Sequence, residues 1–243
     1  MAHHFLLFAT YAFSHCISTW DFAGELAGTI YQNPLNRATG ERGNCGFDHR
    51  QNFNGSFVFT SPGVGPGFAN KITKDWQLSP VANLYTGSPI QLSSGKDVSL
   101  STQGLDRPEV ILPNQVYGSP KTPLEYFNPA AFTCAGPGTG TLGGISGVNT
   151  SCAGTGVFGN LGRNALYGPN QVNFDVALSR NFKLTERLKT EFRAEFFNIL
   201  NHGNWGTGGN GGIGTSVSSG TTFGQITAFG SPRLIQMAMK LYF

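Results

Sequence analysis

The stretch Leu188-Lys-Thr-Glu-Phe-Arg-Ala-Glu-Phe-Phe-Asn-Ile-Leu200 admits two local structures. As a strand, it places Lys189, Glu191, Arg193 and Glu195 on one face with alternating sign, and Leu188, Thr190, Phe192, Ala194 and Phe196 on the other. As a helix, it gathers Leu188, Phe192, Phe196 and Ile199 on one side, with Thr185 to cap its start and Gly203 to end it. The helix would stack Lys189 over Arg193 and Glu191 over Glu195, like charges that cost a few tenths of a kcal/mol each. Arg187 beside Glu191 would offset part of that. The charge pattern leans to the strand and leaves the helix open.

The last ten residues, Leu234-Ile-Gln-Met-Ala-Met-Lys-Leu-Tyr-Phe243, are less ambiguous. Ile235, Met237, Met239, Leu241 and Phe243 alternate with Gln236, Ala238, Lys240 and Tyr242. This is a half-apolar strand of the length that a tilted bilayer span needs. The same alternation marks strands near 5–17, 47–60, 75–87 and 172–182, so that six are expected: these four, 188–200 and 234–243. In the first, Phe5, Leu7, Ala9, Tyr11 and Phe13 share a face. Pro80 weakens the third, because proline removes a ladder donor.

The connections alternate in length. Short turns join 47–60 to 75–87, through Ser61-Pro-Gly-Val-Gly-Pro-Gly, and 172–182 to 188–200, around Leu184-Thr-Glu. Long connections occupy 18–46, 88–171 and 201–233. A loop of about 80 residues is unusual in a compact soluble domain. Short turns on one side and long loops on the other suit an outer-membrane barrel, with every short turn on the periplasmic side.

Composition agrees. Only 12% of residues are charged, against the usual ~25%, while the chain holds 34 Gly and 20 Phe. This favours β structure. No apolar run approaches the roughly 18 residues of a membrane helix, which leaves barrel strands open. The net charge of +3 is scattered, so nucleic acid is not an expected partner. Met1-Ala-His-His-Phe-Leu-Leu-Phe has no Lys or Arg before its apolar stretch and is read as part of a strand, not a secretion signal. The expectation is a segment of a longer protein. Six strands do not close a single-chain barrel, whose minimum is about eight.

No catalytic constellation is apparent. His3, His4, His15, His49 and His202 are scattered, so enzyme activity, cofactors and metals are not expected. Gly206–Gly214 does not join a strand to a helix as a phosphate loop must, and is expected to be a flexible external loop. Lys189, Glu191, Arg193 and Glu195 are expected to face a lumen, as a wall touched by solute or as a mutually paired strand face. Trp76, Phe182, Tyr242 and Phe243 fall near periplasmic strand ends, where an aromatic girdle would sit. Tyr126, Phe127, Phe132 and Phe158 lie in the longest loop, to fold it over the barrel mouth or to touch a ligand. Cys16, Cys45, Cys134 and Cys152 lack zinc-site spacing and are compatible with two disulfides, Cys16 with Cys45 and Cys134 with Cys152, or with free thiols.

Specific residues then carry a resemblance. Gly162-Arg-Asn-Ala-Leu-Tyr-Gly-Pro-Asn-Gln-Val-Asn-Phe-Asp-Val-Ala-Leu-Ser-Arg-Asn-Phe resembles the C-terminal barrel of TonB-dependent outer-membrane receptors, above all the Oar-like group that carries a carboxypeptidase-regulatory-like domain. The most specific match is Arg193, Glu195, Phe197, Asn198, Asn201 and Asn204, with Phe223-Gly-Gln-Ile-Thr, Ser231-Pro-Arg and the terminal Leu-Tyr-Phe. Weaker matches reach the start, at Ala9-Thr-Tyr-Ala-Phe-Ser-His, Phe47-Asp-His-Arg-Gln-Asn-Phe and Trp76-Gln-Leu-Ser.

The resemblance implies an all-β fold, an antiparallel segment of a transmembrane barrel with long extracellular loops. It turns the reading of 188–200 to strand. It implies that this segment supplies wall, loops and the terminal assembly signal of an outer-membrane transporter for an unknown solute. The implied partners are lipid, the barrel-assembly machinery, and a plug domain and TonB in the intact protein. The face Ile235, Met237, Met239, Leu241 and Phe243 would be the assembly signal. A secreted or surface β-rich binding protein, and a passive pore with strands shared between chains, remain alternatives.

Overall fold

The structure is a computed structural model and describes residues 4–19, 31–33, 35, 40–102, 106–183, 185, 188–206 and 212–243. Six long strands form one sheet whose spatial order is their order in the chain: β1 (Phe5–Phe13), β2 (Gln51–Pro62), β3 (Lys74–Tyr85), β4 (Gln171–Lys183), β5 (Lys189–Phe197) and β6 (Leu234–Tyr242). All neighbours are antiparallel. At 9 to 13 residues each, the strands match the roughly 9–11 residues of a tilted bilayer span.

The register sorts the sheet into two faces. Directly opposed residues share a face, and successive residues alternate. Across the sheet, Leu7, Phe57, Leu78, Leu178, Ala194 and Met237 lie on one side. Asn54, Asn83, Asn173, Asp175, Ser179, Arg193 and Gln236 lie on the other. A one-residue slip of any strand would exchange its faces, so the pattern specifies the register. The helical alternative for 188–200 is excluded. The Thr185 hydroxyl closes the β4–β5 turn by accepting from Leu188 N at 3.0 Å, and Glu191 and Arg193 fall opposite Asn181 and Ser179. Arg187 lies outside the described residues.

The sheet differs from expectation at its ends. β1 stops at Phe13, and Ile17–Ser18 pairs separately with Gly43–Asn44. The Cys16–Cys45 disulfide and the bond from Cys16 N to Asp48 Oδ1 (3.0 Å) take the chain off the sheet there. The same anchor delays β2 until Gln51. β5 ends at Phe197 because Asn198 turns into the left-handed region at φ 47°. β3 runs through Pro80, but its pairing with β2 lapses there, between Ser56–Val81 and Phe59–Leu78, as the missing N–H requires. The turn after β2 uses Gly63, Gly65 and Gly67 at φ 88°, 78° and 59°, and contains a helix, α1 (Phe68–Thr73), that alternation did not predict.

The hydrophobic core lies in the long connections. Ile90, Leu92, Tyr126, Phe127, Phe132, Phe223 and Ile226 pack into one buried cluster shared by the second and third connections. Edge-on ring contacts link Tyr126, Phe127, Phe132 and Phe223 at centroid distances of 5.1 to 6.4 Å. The first connection docks through a buried ion pair, Arg107 to Glu41 at 2.9 Å, with Gln32 Nε2 donating to the Gly159 carbonyl. The Cys134–Cys152 disulfide staples a hairpin, Phe132–Leu142 with Ile145–Asn149, beside a second buried cluster around Val98. Phe158 is half-buried. The end of the glycine-rich stretch is ordered: Gly214 N donates to Gln225 O and Ile213 is buried, while 207–211 lie outside the described residues. These connections therefore form a folded cap on the strand ends.

Two outcomes follow. Non-reducing peptide mapping should recover the pairs Cys16–Cys45 and Cys134–Cys152; four free thiols would contradict the fold of the cap. Phe127→Ala should cost the cap about 3–5 kcal/mol, seen as protease cleavage within 88–171, because it empties the centre of the buried cluster.

Candidate functional site

Three regions of the fold carry polar chemistry. The first is the polar face of the sheet. It brings Lys189, Glu191, Arg193 and Glu195 together with Asn181, Ser179 and Lys240. Arg193 and Glu195 form an ion pair at 2.6 Å, which half-exposed is worth at most about 1 kcal/mol. Glu191 accepts a hydrogen bond from the Tyr242 hydroxyl at 2.9 Å. Tyr242 thus belongs to the polar face and not to an aromatic girdle. Lys183 and Lys189 oppose each other across β4 and β5, an unfavourable pairing that leaves cationic charge on the wall. Beside them a concavity of about 1090 Å³ opens at the short-turn end, bounded by Thr60, Gln77, Asn181 and Tyr242.

The second region is the seam between sheet and cap, where side chains of asparagines substitute for a missing ladder. Asn204 Oδ1 accepts from Val172 N at 2.8 Å and its Nδ2 donates to Val172 O at 2.9 Å, which takes the place of β5 on the side of β4 where pairing with that strand has ended at Val176. Buried Asn198 accepts from His202 N and donates to the carbonyls of His202 and Ser231. Asn201 Oδ1 accepts from Arg233 N at 3.1 Å. The Asp175 carboxylate, at the outer end of the polar face, accepts from Asn198 N at 2.8 Å. The spacing of Asn198, Asn201 and Asn204 thus has a mechanical cause: three amides pin the cap to the strand ends, each satisfying backbone groups that would otherwise be orphaned.

The third region is a cleft of about 480 Å³ where the cap meets the start of β4, lined by Tyr117, Lys121, Tyr126, Asn170, His202 and Trp205. Sequence reasoning singled out Tyr126 but not Tyr117, Lys121 or Trp205, because they meet only through cap folding. The hydroxyls of Tyr117 and Tyr126 both donate to the Tyr167 carbonyl, at 3.2 and 3.0 Å, and Tyr117 also accepts from Tyr167 N at 2.9 Å. Burial pushes both phenols above their ordinary value, with the charge of Tyr117 adding to the effect at Tyr126. The Lys121 ammonium sits 3.7 Å from the centroid of the Tyr117 ring, a cation–π contact. The cleft has the chemistry of a binding surface: aromatic walls, one cation and amide donors. Among the described residues, no group of three or more His, Cys, Asp or Glu is arranged to hold a metal ion.

Asn204→Ala should leave Val172 N and O unpaired, costing about 1–3 kcal/mol and speeding hydrogen exchange at Val172; unchanged exchange would contradict the seam. The phenols give a sign for pH. With folded values above the unfolded value of about 10, the unfolded chain ionises first as pH rises. Their contribution is therefore full below pH ~10 and is lost as pH climbs through the folded values. Tyr117→Phe with Tyr126→Phe should flatten that alkaline loss in a melting series.

The comparisons with known proteins fit this geometry. The family model described as an outer membrane beta barrel domain matches residues 1–236. No curated protein and no solved structure matches the chain. The two-faced sheet is accordingly a segment of a transmembrane barrel wall, and the cap is built from the connections between its strands. Because the match spans nearly the whole chain and the sheet carries one apolar and one polar face, the chain belongs to the outer membrane beta barrel domain family.

Proposed function

We propose that this chain is the C-terminal part of the barrel of a TonB-dependent outer-membrane transporter, without enzymatic activity. The observation that carries the reading is the motif Arg193, Glu195, Phe197, Asn198, Asn201 and Asn204. It sits where an ion pair on the polar face of the sheet meets the amides that pin a folded cap to the strand ends. A transporter of this class needs such a mouth: rigid enough to hold a recognition surface, joined directly to the wall of the passage. Solute would meet the cap first. A plug domain would sit against the polar wall, and energy passed through TonB would move it. The solute is unknown.

A passive pore would present the same two-faced sheet, and two measurements separate the readings. In planar bilayers the intact protein should give no steady conductance, since a plug occupies the lumen; stable ohmic steps would favour the pore. Genomic sequence in frame upstream of Met1 should encode a plug-like domain. A secreted binding protein would instead remain soluble without detergent.

The terminal face Ile235, Met237, Met239, Leu241 and Phe243 is proposed as the signal read by the barrel-assembly machinery. Its first four residues lie on the apolar face of the sheet, in register with Phe196, Ala194, Phe192 and Thr190. Deleting Phe243 should lower the amount of inserted protein several-fold; normal insertion would remove this role.

A further inference from the structure

We propose that α1 is an interfacial anchor that binds the phospholipid surface of the periplasmic leaflet, with a preference for anionic headgroups. The placement begins with Arg180, a charged residue on the lipid face of β4, opposite Trp76 of β3. A lipid-facing arginine costs roughly 2–4 kcal/mol at the bilayer midplane and about 0–1 near its boundary. Arg180 therefore marks the level of the membrane edge. Its two Nη groups donate to the carbonyls of Lys71 and Ile72, at the C-terminal end of α1, and Trp76 Nε1 donates to Ile72 O at 2.7 Å. The guanidinium lies 5.4 Å from the Trp76 ring and 4.6 Å from the Phe182 ring. The cation thus satisfies carbonyls that the short helix leaves open and opposes its negative end. The bonds also fix α1 on the lipid side of the strand ends, at the height of the boundary.

The helix is patterned for that position. Phe68 and Ile72 are one turn apart and 77% and 48% exposed, and Val64 just before them is 67% exposed. Thr73 faces back, bonding Val64 and Ala69. Lys71 borders the Phe68–Ile72 stripe on the helix surface and is exposed, as is Lys74 immediately after the helix. An apolar stripe flanked by lysines, continuous with the lipid face through Trp76 and Phe182, is the pattern of a segment that sinks its apolar side chains to the acyl boundary. Its ammonium groups then reach lipid phosphates. A soluble protein partner would cover the same stripe without any dependence on lipid charge.

The test uses the full chain bound to vesicles of phosphatidylethanolamine with or without phosphatidylglycerol, collected by flotation. A fluorescent thiol label is placed at Phe68→Cys or Ile72→Cys, with the four native cysteines held in disulfides. Met237→Cys on the lipid wall and Lys121→Cys in the cap supply the lipid and water references. Labels at 68 and 72 should be quenched by headgroup-level lipid nitroxides and shielded from iodide, as at 237. Phosphatidylglycerol should deepen the shielding, and Lys71→Gln with Lys74→Gln should remove that gain, by about fivefold per lysine. Labels at 68 and 72 that follow 121 while 237 follows lipid would overturn the anchor. Shielding that is indifferent to phosphatidylglycerol would overturn the headgroup preference.

Discussion

A backbone that crosses a bilayer must find every hydrogen-bond partner inside the protein, because the hydrocarbon offers none. The rest of this structure follows from that constraint. It forces the crossing segments into an antiparallel sheet in which β2, β3, β4 and β5 are paired on both sides. It makes β1 and β6, the two edges of the described sheet, incomplete as they stand: each exposes a row of ladder groups that would cost several kcal/mol apiece in lipid. The sheet is a segment of a barrel wall, and its edges are surfaces for further strands.

The same constraint explains where the core is. A barrel wall is one layer thick, with lipid on one face and an aqueous or protein-filled lumen on the other, so neither face needs a packed protein interior. The buried aromatic cluster instead forms in the long connections, around Phe127 and Phe132, where the chain leaves the single-layer sheet and must supply its own apolar centre. Two disulfides and the Arg107–Glu41 pair join segments distant in sequence there. The cap and the wall thus obey different solvents, and the asparagine seam at Asn198, Asn201 and Asn204 is the joint between them.

The two regimes differ in how well they can be read from residues alone. Phe192, Ala194 and Phe196 facing away from Arg193 and Glu195 is a local fact of alternation, and it survives in the register of every neighbouring strand. Strand ends are less legible. Phe47 and Ile17 continue the alternating pattern, yet a disulfide and an aspartate contact draw them out of the sheet. α1 is too short for helical periodicity to register, and its glycine-flanked turn looks like any other. The aromatic cleft is invisible in the sequence, since Tyr117, Lys121, Tyr126 and Trp205 are brought together only when the two longest connections fold on each other.

By itself the sequence determined that this chain forms a two-faced sheet, how many long strands it contributes, and which side chains share each face. A period of two residues is written locally, and the two solvents enforce it at every position. Only the tertiary structure decided how the cap is stapled, which tyrosines hold the Tyr167 backbone, and that Arg180 bonds the end of α1. Those contacts join residues tens of positions apart, and their partners are selected by packing and by the need to satisfy particular backbone groups, neither of which leaves a periodic trace in the chain.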